Sequence, residues 1–104
     1  MAQPPKLSDE QRRAALAKAA EARQVRAEVK ELLKTGSLRM SELFTRAESE
    51  HLLAGLKVES LIAAMPGTGK IKAKRLMESL GIAENRRIRG LGDKQKEALI
   101  SEFS

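Results

Sequence analysis

No cysteine occurs in the 104 residues, which excludes a disulfide framework, a thiol nucleophile and a thiolate metal site. One histidine, His51, cannot build a histidine-based zinc site by itself. Tryptophan and tyrosine are missing, and Phe44 and Phe103 are the only rings. That argues against modules that hold single strands by stacking bases on aromatic faces. No stretch approaches the roughly 18 consecutive apolar residues of a membrane span. The polar N-terminal residues lack the apolar core of a signal peptide. The expectation is therefore a cytoplasmic protein with no membrane contact. No paired carboxylates or nucleophile can be assembled around His51, and no motif sets a Ser or Thr against a base. Neither an enzyme nor a small-molecule substrate, cofactor or metal is expected. A chain of this length has room for one hydrophobic core.

What the sequence does have is positive charge, unevenly placed. Twenty Lys+Arg against fourteen Asp+Glu give a net +6 and a pI near 10.0. Residues 66 to 96 hold nine of those cations: Lys70, Lys72, Lys74, Arg75, Arg86, Arg87, Arg89, Lys94 and Lys96. They are opposed there by only Glu78, Glu84 and Asp93. A concentrated basic segment is the electrostatic footprint of a polyanion binder, although a merely solvated charged face would give the same composition.

The apolar pattern is helical throughout. Residues 1 to 8, with Pro4 and Pro5, read as a flexible lead-in to a single all-α domain over 9 to 104. Ser8 to Gln11 has the S-x-x-Q form of a capping box. From there to Thr35 neither Gly nor Pro intervenes, so one long helix is predicted over 9 to 34, stopped by Gly36. Ala22, Val25, Val29 and Leu32 form its apolar stripe, with Leu16 extending it upstream and Leu33 broadening its end. Its alanine-rich first half buries little area and is expected to project from the core. Shorter helices follow over about 39 to 47, 57 to 65, 70 to 80 and 93 to 103, with a helical turn near 49 to 55. Residues expected inward are Met40, Leu43, Phe44 and Ala47, then Val58, Leu61, Ile62 and Met65. The last two helices should add Ile71, Ala73, Leu76, Met77 and Leu80, and Ala98, Leu99, Ile100 and Phe103. Residues 82 to 92 read as irregular.

Two motifs carry the chemistry. Gly67-Thr68-Gly69-Lys70 invites comparison with a nucleotide-binding P-loop, but that pattern needs Gly at Ala64 and Ser or Thr at Ile71, and a strand before it. A glycine turn feeding a helix start still exposes unpaired amides at the positive end of the dipole, with Lys70 and Lys72 beside them. As a plain inter-helix turn it would explain the glycines and not the lysines. The second motif is Arg86-Arg87-Ile88-Arg89-Gly90-Leu91-Gly92, three arginines in four residues on a connection that Ile88 and Leu91 should anchor. Arginine forks suit phosphate oxygens, guanine edges and narrow minor grooves. The competing reading pairs one arginine with a nearby acid such as Glu84 and leaves the others solvated.

The run from Pro66 to Leu76 resembles the helix-hairpin-helix pattern L-P-G-h-G-x-x-x-A-x-x-I, departing from it at Met65 and Thr68. Extended through Gly81-Ile82 and Arg86 to Arg89 into the final helix, residues 66 to 104 look like the helix-two-turns-helix (H2TH) module. Formamidopyrimidine-type glycosylases and a small-subunit ribosomal head protein carry that module. Together with Leu7 to Ala27 and Gly55-Leu56-Lys57-Val58, the whole chain is similar to the actinobacterial integration host factors. The resemblance implies a monomeric nucleoid protein that binds double-stranded DNA with little sequence specificity and acts in chromosome organisation and site-specific recombination. By position, Gly67, Gly69, Lys70 and Lys72 would face one stretch of backbone, with Arg86, Arg87 and Arg89 on the same surface. A second DNA-contacting surface on the first helix would use Arg12, Arg13 and Arg23, allowing two duplexes per monomer. One alternative is a structural RNA-binding protein like the ribosomal one, against which the last eight residues are net negative. Another is a protein-interaction module working through helix 9 to 34.

Overall fold

A computed structural model describes residues 8 to 104, and the Leu7 end of the resemblance and most of the predicted lead-in lie outside them. Six α-helices follow in order: α1 Asp9–Lys34, α2 Met40–Ala47, α3 His51–Ala54, α4 Val58–Ala64, α5 Gly69–Ser79 and α6 Asp93–Glu102. A single 3-10 turn, Ile88–Gly90, sits between α5 and α6. Among the described residues there is no β-strand, in keeping with the all-α expectation.

α1 starts where its cap dictates. The Ser8 hydroxyl accepts from the Gln11 amide at 3.1 Å, and the Gln11 side chain accepts from the Ser8 amide at 3.0 Å. Asp9 and Glu10 face the positive end of the dipole. At the other end the chain leaves through Gly36 in the left-handed region, at φ 78°. Between these ends the helix has two characters. Every residue from Asp9 to Glu21 is exposed, so the first half does project from the core. Its alanines leave too little apolar surface to hold a neighbour.

The second half docks on α3 and α4 through Val29 and Leu33. The predicted stripe shifts here: Leu33 is fully buried, while Leu32 is 37% exposed and Leu16 is 61% exposed. Val29 and Leu33 are four residues apart and lie on one face, and the 29-to-32 step turns Leu32 to its edge.

Around α1 the core is assembled from Met40, Leu43, Phe44 and Ala47 of α2, Leu53 and Leu56, and Val58, Leu61 and Ile62 of α4. Ala73 and Met77 of α5, Ile82, Ile88, Leu91, and Leu99 of α6 complete it. No polar side chain is buried among the described residues. Met65, Leu76, Leu80, Ile100 and Phe103 pack at its margin rather than inside. Ile71 is not a core residue at all. α5 meets α4 through Ala73 and Met77, and Ile71 lies roughly 200° around the helix from Ala73, facing out.

The segment expected to be irregular is pinned. The Val58 amide donates to the Arg86 carbonyl and the Ile88 amide to the Leu56 carbonyl, both at 3.0 Å. These two bonds form an antiparallel bridge between Lys57 and Arg87. Buried Ile88 and Leu91 anchor the same segment from below, as their apolar character predicts.

The two halves of α1 make different demands on the core. Leu33→Ala should lower unfolding free energy by about 2–5 kcal/mol, the range for truncating a buried leucine. Leu16→Ala should stay within about 0.5 kcal/mol of the parent. Urea unfolding followed by circular dichroism separates the two, and equal losses would mean that the first half packs after all.

Candidate nucleic-acid interface

The glycine turn owes its shape to backbone torsion. Gly67 and Gly69 both adopt φ 72°, a region costly for any residue with a Cβ. A Cβ added at either position would meet nothing within 4 Å, so the turn opens directly to solvent. Thr68 makes no side-chain cap to α5, which leaves the first amides of the helix to other partners. The Lys72 ammonium donates to the Gly67 carbonyl at 3.2 Å and so straddles the turn.

In the arginine loop the three side chains have distinct surroundings. Arg86 is half-buried and lies across Gly90, donating from Nη1 to the Gly90 carbonyl at 2.9 Å. Arg87 donates from Nη1 to the Gly55 carbonyl at 2.5 Å. Arg89 makes no hydrogen bond to any described residue, and its Nη1 lies 3.7 Å from where a Gly55 Cβ would be. No arginine pairs with Glu84. That carboxylate lies 4.0 Å from Lys74 instead, with both side chains at least half exposed, so the contact is weak.

Packing of α1 joins these two motifs. A hollow of 540 Å³ is lined by Ala22 and Arg26 of α1, by His51, Leu52, Gly55, Leu56, Lys57 and Ser60, and by Arg87 and Arg89. Ser60 also lines the neighbouring hollow, with Lys30, Glu59, Ala63 and Lys70. Ala63 in turn lines the next, with Lys34 and the Pro66 to Gly69 turn. Neighbouring hollows share Ser60 and Ala63, so the three follow one another as a furrow along α1 and α4, from the arginine loop to the glycine turn. Seven Lys and Arg residues edge it, Arg26, Lys30, Lys34, Lys57, Lys70, Arg87 and Arg89, with the carboxylate of Glu59, and an adjoining hollow at Lys57, Glu59 and Ser60 adds that of Glu84. Close cations with so few counter-charges create a positive potential that a polyanion relieves.

Of the residues picked from the sequence, Gly67, Gly69, Lys70, Arg87 and Arg89 therefore line this row of hollows, with Lys72 bound to the turn. Arg86 lines none of them and braces the loop through the Gly90 carbonyl. Arg12, Arg13 and Arg23 are exposed on α1, the first two on its projecting half. Arg26, Lys30, Lys34 and Lys57 were not singled out by sequence reasoning. A signal existed for three of them: 26, 30 and 34 repeat at i, i+4 and i+8, which puts them along one side of a helix. Arg46 does not contribute. Glu50 holds it at 2.8 Å, and their hydrogen bond raises the guanidinium pKa and lowers the carboxyl pKa.

A profile of the S13-like H2TH domain matches residues 33–103. Over a longer span, the integration host factor of Mycolicibacterium smegmatis is 50% identical across 99 residues, covering 95% of this chain and 94% of the relative. The chain belongs to the integration host factor family. Another integration host factor, from Streptomyces coelicolor, is 48% identical over 103 residues, 99% of this chain and 95% of the relative. Among solved structures, sIHF bound to an 8bp palindromic DNA superimposes with a TM-score of 0.81 at 43% identity. That match covers 85% of this chain and 99% of the other. The profile match begins at Leu33, so only the last two residues of α1 fall within it.

The turn geometry sets a stability test. Gly67→Ala and Gly69→Ala should each cost about 1–2 kcal/mol through the left-handed torsion alone. Gly55→Ala, at φ −86° with ordinary 3.7–3.8 Å neighbours, should fall within about 0.5 kcal/mol. Denaturant midpoints of the three variants check this, and a neutral Gly67→Ala would mean the turn relaxes freely.

Proposed function

We propose that this protein is an architectural DNA-binding protein of the nucleoid, gripping double-stranded DNA through its phosphates with little sequence preference. The observation that carries the reading is the furrow, along which seven cations from four parts of the chain outnumber the carboxylates of Glu59 and Glu84. Family membership and a DNA-bound structural neighbour support it.

Each part of the furrow has a task in this reading. The Thr68 amide is spent on the Met65 carbonyl, so the open amides at the start of α5, from Gly69 onward, receive a phosphate at the positive end of the dipole, and Lys70 and Lys72 add charge beside it. Arg89, with all its donors free of described partners, forks a second phosphate, and Arg87 reaches it with the donors that Gly55 does not use. Arg86 braces the loop that presents both. Arg26, Lys30, Lys34 and Lys57 neutralise the backbone between these two ends. None of these groups needs a base edge, so sequence preference is weak.

Arg12, Arg13 and Arg23 serve a second contact on α1. The half from Asp9 to Glu21 extends about 20 Å at 1.5 Å per residue, enough to touch another duplex beside the first. A monomer holding two duplexes would bridge and compact DNA and support site-specific recombination, all in the cytoplasmic nucleoid.

Fluorescence anisotropy with a random duplex, its single strand and a structured RNA, at three salt concentrations, tests the reading. Duplex DNA should bind most tightly. Counting one neutralised phosphate for each of the seven furrow cations, log K against log salt should slope at about −6.3. Arg89→Ala should weaken binding alike across sequences and flatten the slope by about 0.9, with unfolding unchanged. Arg87→Ala should do the same and also lower the melting temperature, because the Gly55 carbonyl loses its donor. Tightest binding to RNA would instead assign the protein to structural RNA binding. Salt-insensitive or absent binding to all three would reduce the basic segment to a solvated face.

A further inference from the structure

Three large apolar side chains stand exposed among the described residues, Leu16, Leu32 and Ile71. Ile71 is the most exposed, at 70%, and it occupies the first turn of α5, two residues after Gly69. Lys70 and Lys72 flank it in sequence. Lys74 and Arg75, at i+3 and i+4, are its neighbours on the helix surface. The fold does not require an isoleucine there, since α5 packs through Ala73 and Met77 on its opposite side.

An apolar side chain beside Lys74 and Arg75, with Lys70 and Lys72 on the adjoining faces of the turn, fits a surface on which carbon is framed by negative charge. A second copy of this chain would set like charges against each other, and so would any basic protein. The backbone of a DNA duplex has the required pattern, because phosphates alternate with the carbon faces of deoxyribose along the minor groove. We infer that Ile71 packs against the deoxyribose carbons of the strand held at the glycine turn, and that this contact makes the protein favour DNA over RNA duplexes. The inference rests on the DNA-binding reading above and names a residue that decides between its substrates. In RNA the 2′-hydroxyl lies in the wide minor groove, where an isoleucine would cover a polar group and give it no partner.

The test compares the parent, Ile71→Ser and Ile71→Val on DNA and RNA duplexes of one sequence, by anisotropy at three salt concentrations. The parent should bind the DNA duplex more tightly. Ile71→Ser should lose about tenfold on DNA, equivalent to about 1.4 kcal/mol, and less than about twofold on RNA. Salt slopes should not move, since no charge is removed. Ile71→Val should stay near the parent, and all three should share a melting temperature because the site is exposed. Equal losses on both duplexes, no loss on DNA, or an altered slope would overturn the sugar contact while leaving DNA binding intact. Concentration-dependent self-association of the parent, abolished in Ile71→Ser, would overturn it in favour of an interface between copies. Failure of the parent to bind either duplex would instead bring down the DNA-binding reading itself, and this inference with it.

Discussion

Two backbone hydrogen bonds, from Val58 to Arg86 and from Ile88 to Leu56, set the geometry on which the surface depends. They close the base of a long excursion that contains α4, the glycine turn and α5. Without them the arginine loop would lose its main-chain tether and keep only the side-chain anchors of Ile88, Leu91 and Arg87, and its distance from the turn would vary. With them, the two cationic motifs become fixed ends of one feature. The Arg87 side chain reinforces the same junction through the Gly55 carbonyl. The loop is thus held mainly by main-chain atoms, which leaves most side-chain donors unspent.

Charge is kept apart from the work of folding. The described core contains no buried polar side chain, and only two ion pairs come within 4.0 Å among the described residues. Both are exposed, a setting in which such pairs contribute little. Stability therefore comes from aliphatic burial, and the chain can carry a net +6 without internal compensation. An excess of that kind costs self-repulsion in the free protein, and a bound polyanion relieves it.

Much of this was legible in advance because it was local. The Ser8 cap, the uninterrupted run to Lys34, the stop at Gly36 and the anchoring by Ile88 and Leu91 all follow from short-range rules, and each has its counterpart in the structure. What was not legible depended on which face of a helix meets which neighbour. Leu32 and Leu33 are equally apolar, and only the approach of α4 decides that Leu33 goes in. Ile71 matches the helical period of α5 loosely, but the short side chain of Ala73 draws the helix in close and leaves Ile71 on the far side. The contribution of Arg26, Lys30, Lys34 and Lys57 was hidden for the same reason. The spacing of the first three shows a shared side of α1, while its position beside Lys57 and the arginine loop exists only after α1 has docked.

The projecting half of α1 has a mechanical consequence. Its residues pay no nucleation cost, because the docked half already supplies a formed turn from which the helix elongates. Its persistence is then a matter of alanine-rich propensity and the distant Ser8–Gln11 cap, uncoupled from the core. It behaves as a ruler whose graduations are residues. Changing its length would move Arg12 outward by about 1.5 Å and around the axis by about 100° per residue. Reach and azimuth could thus drift during evolution at almost no expense to the folded body, while the furrow, locked to that body, could not.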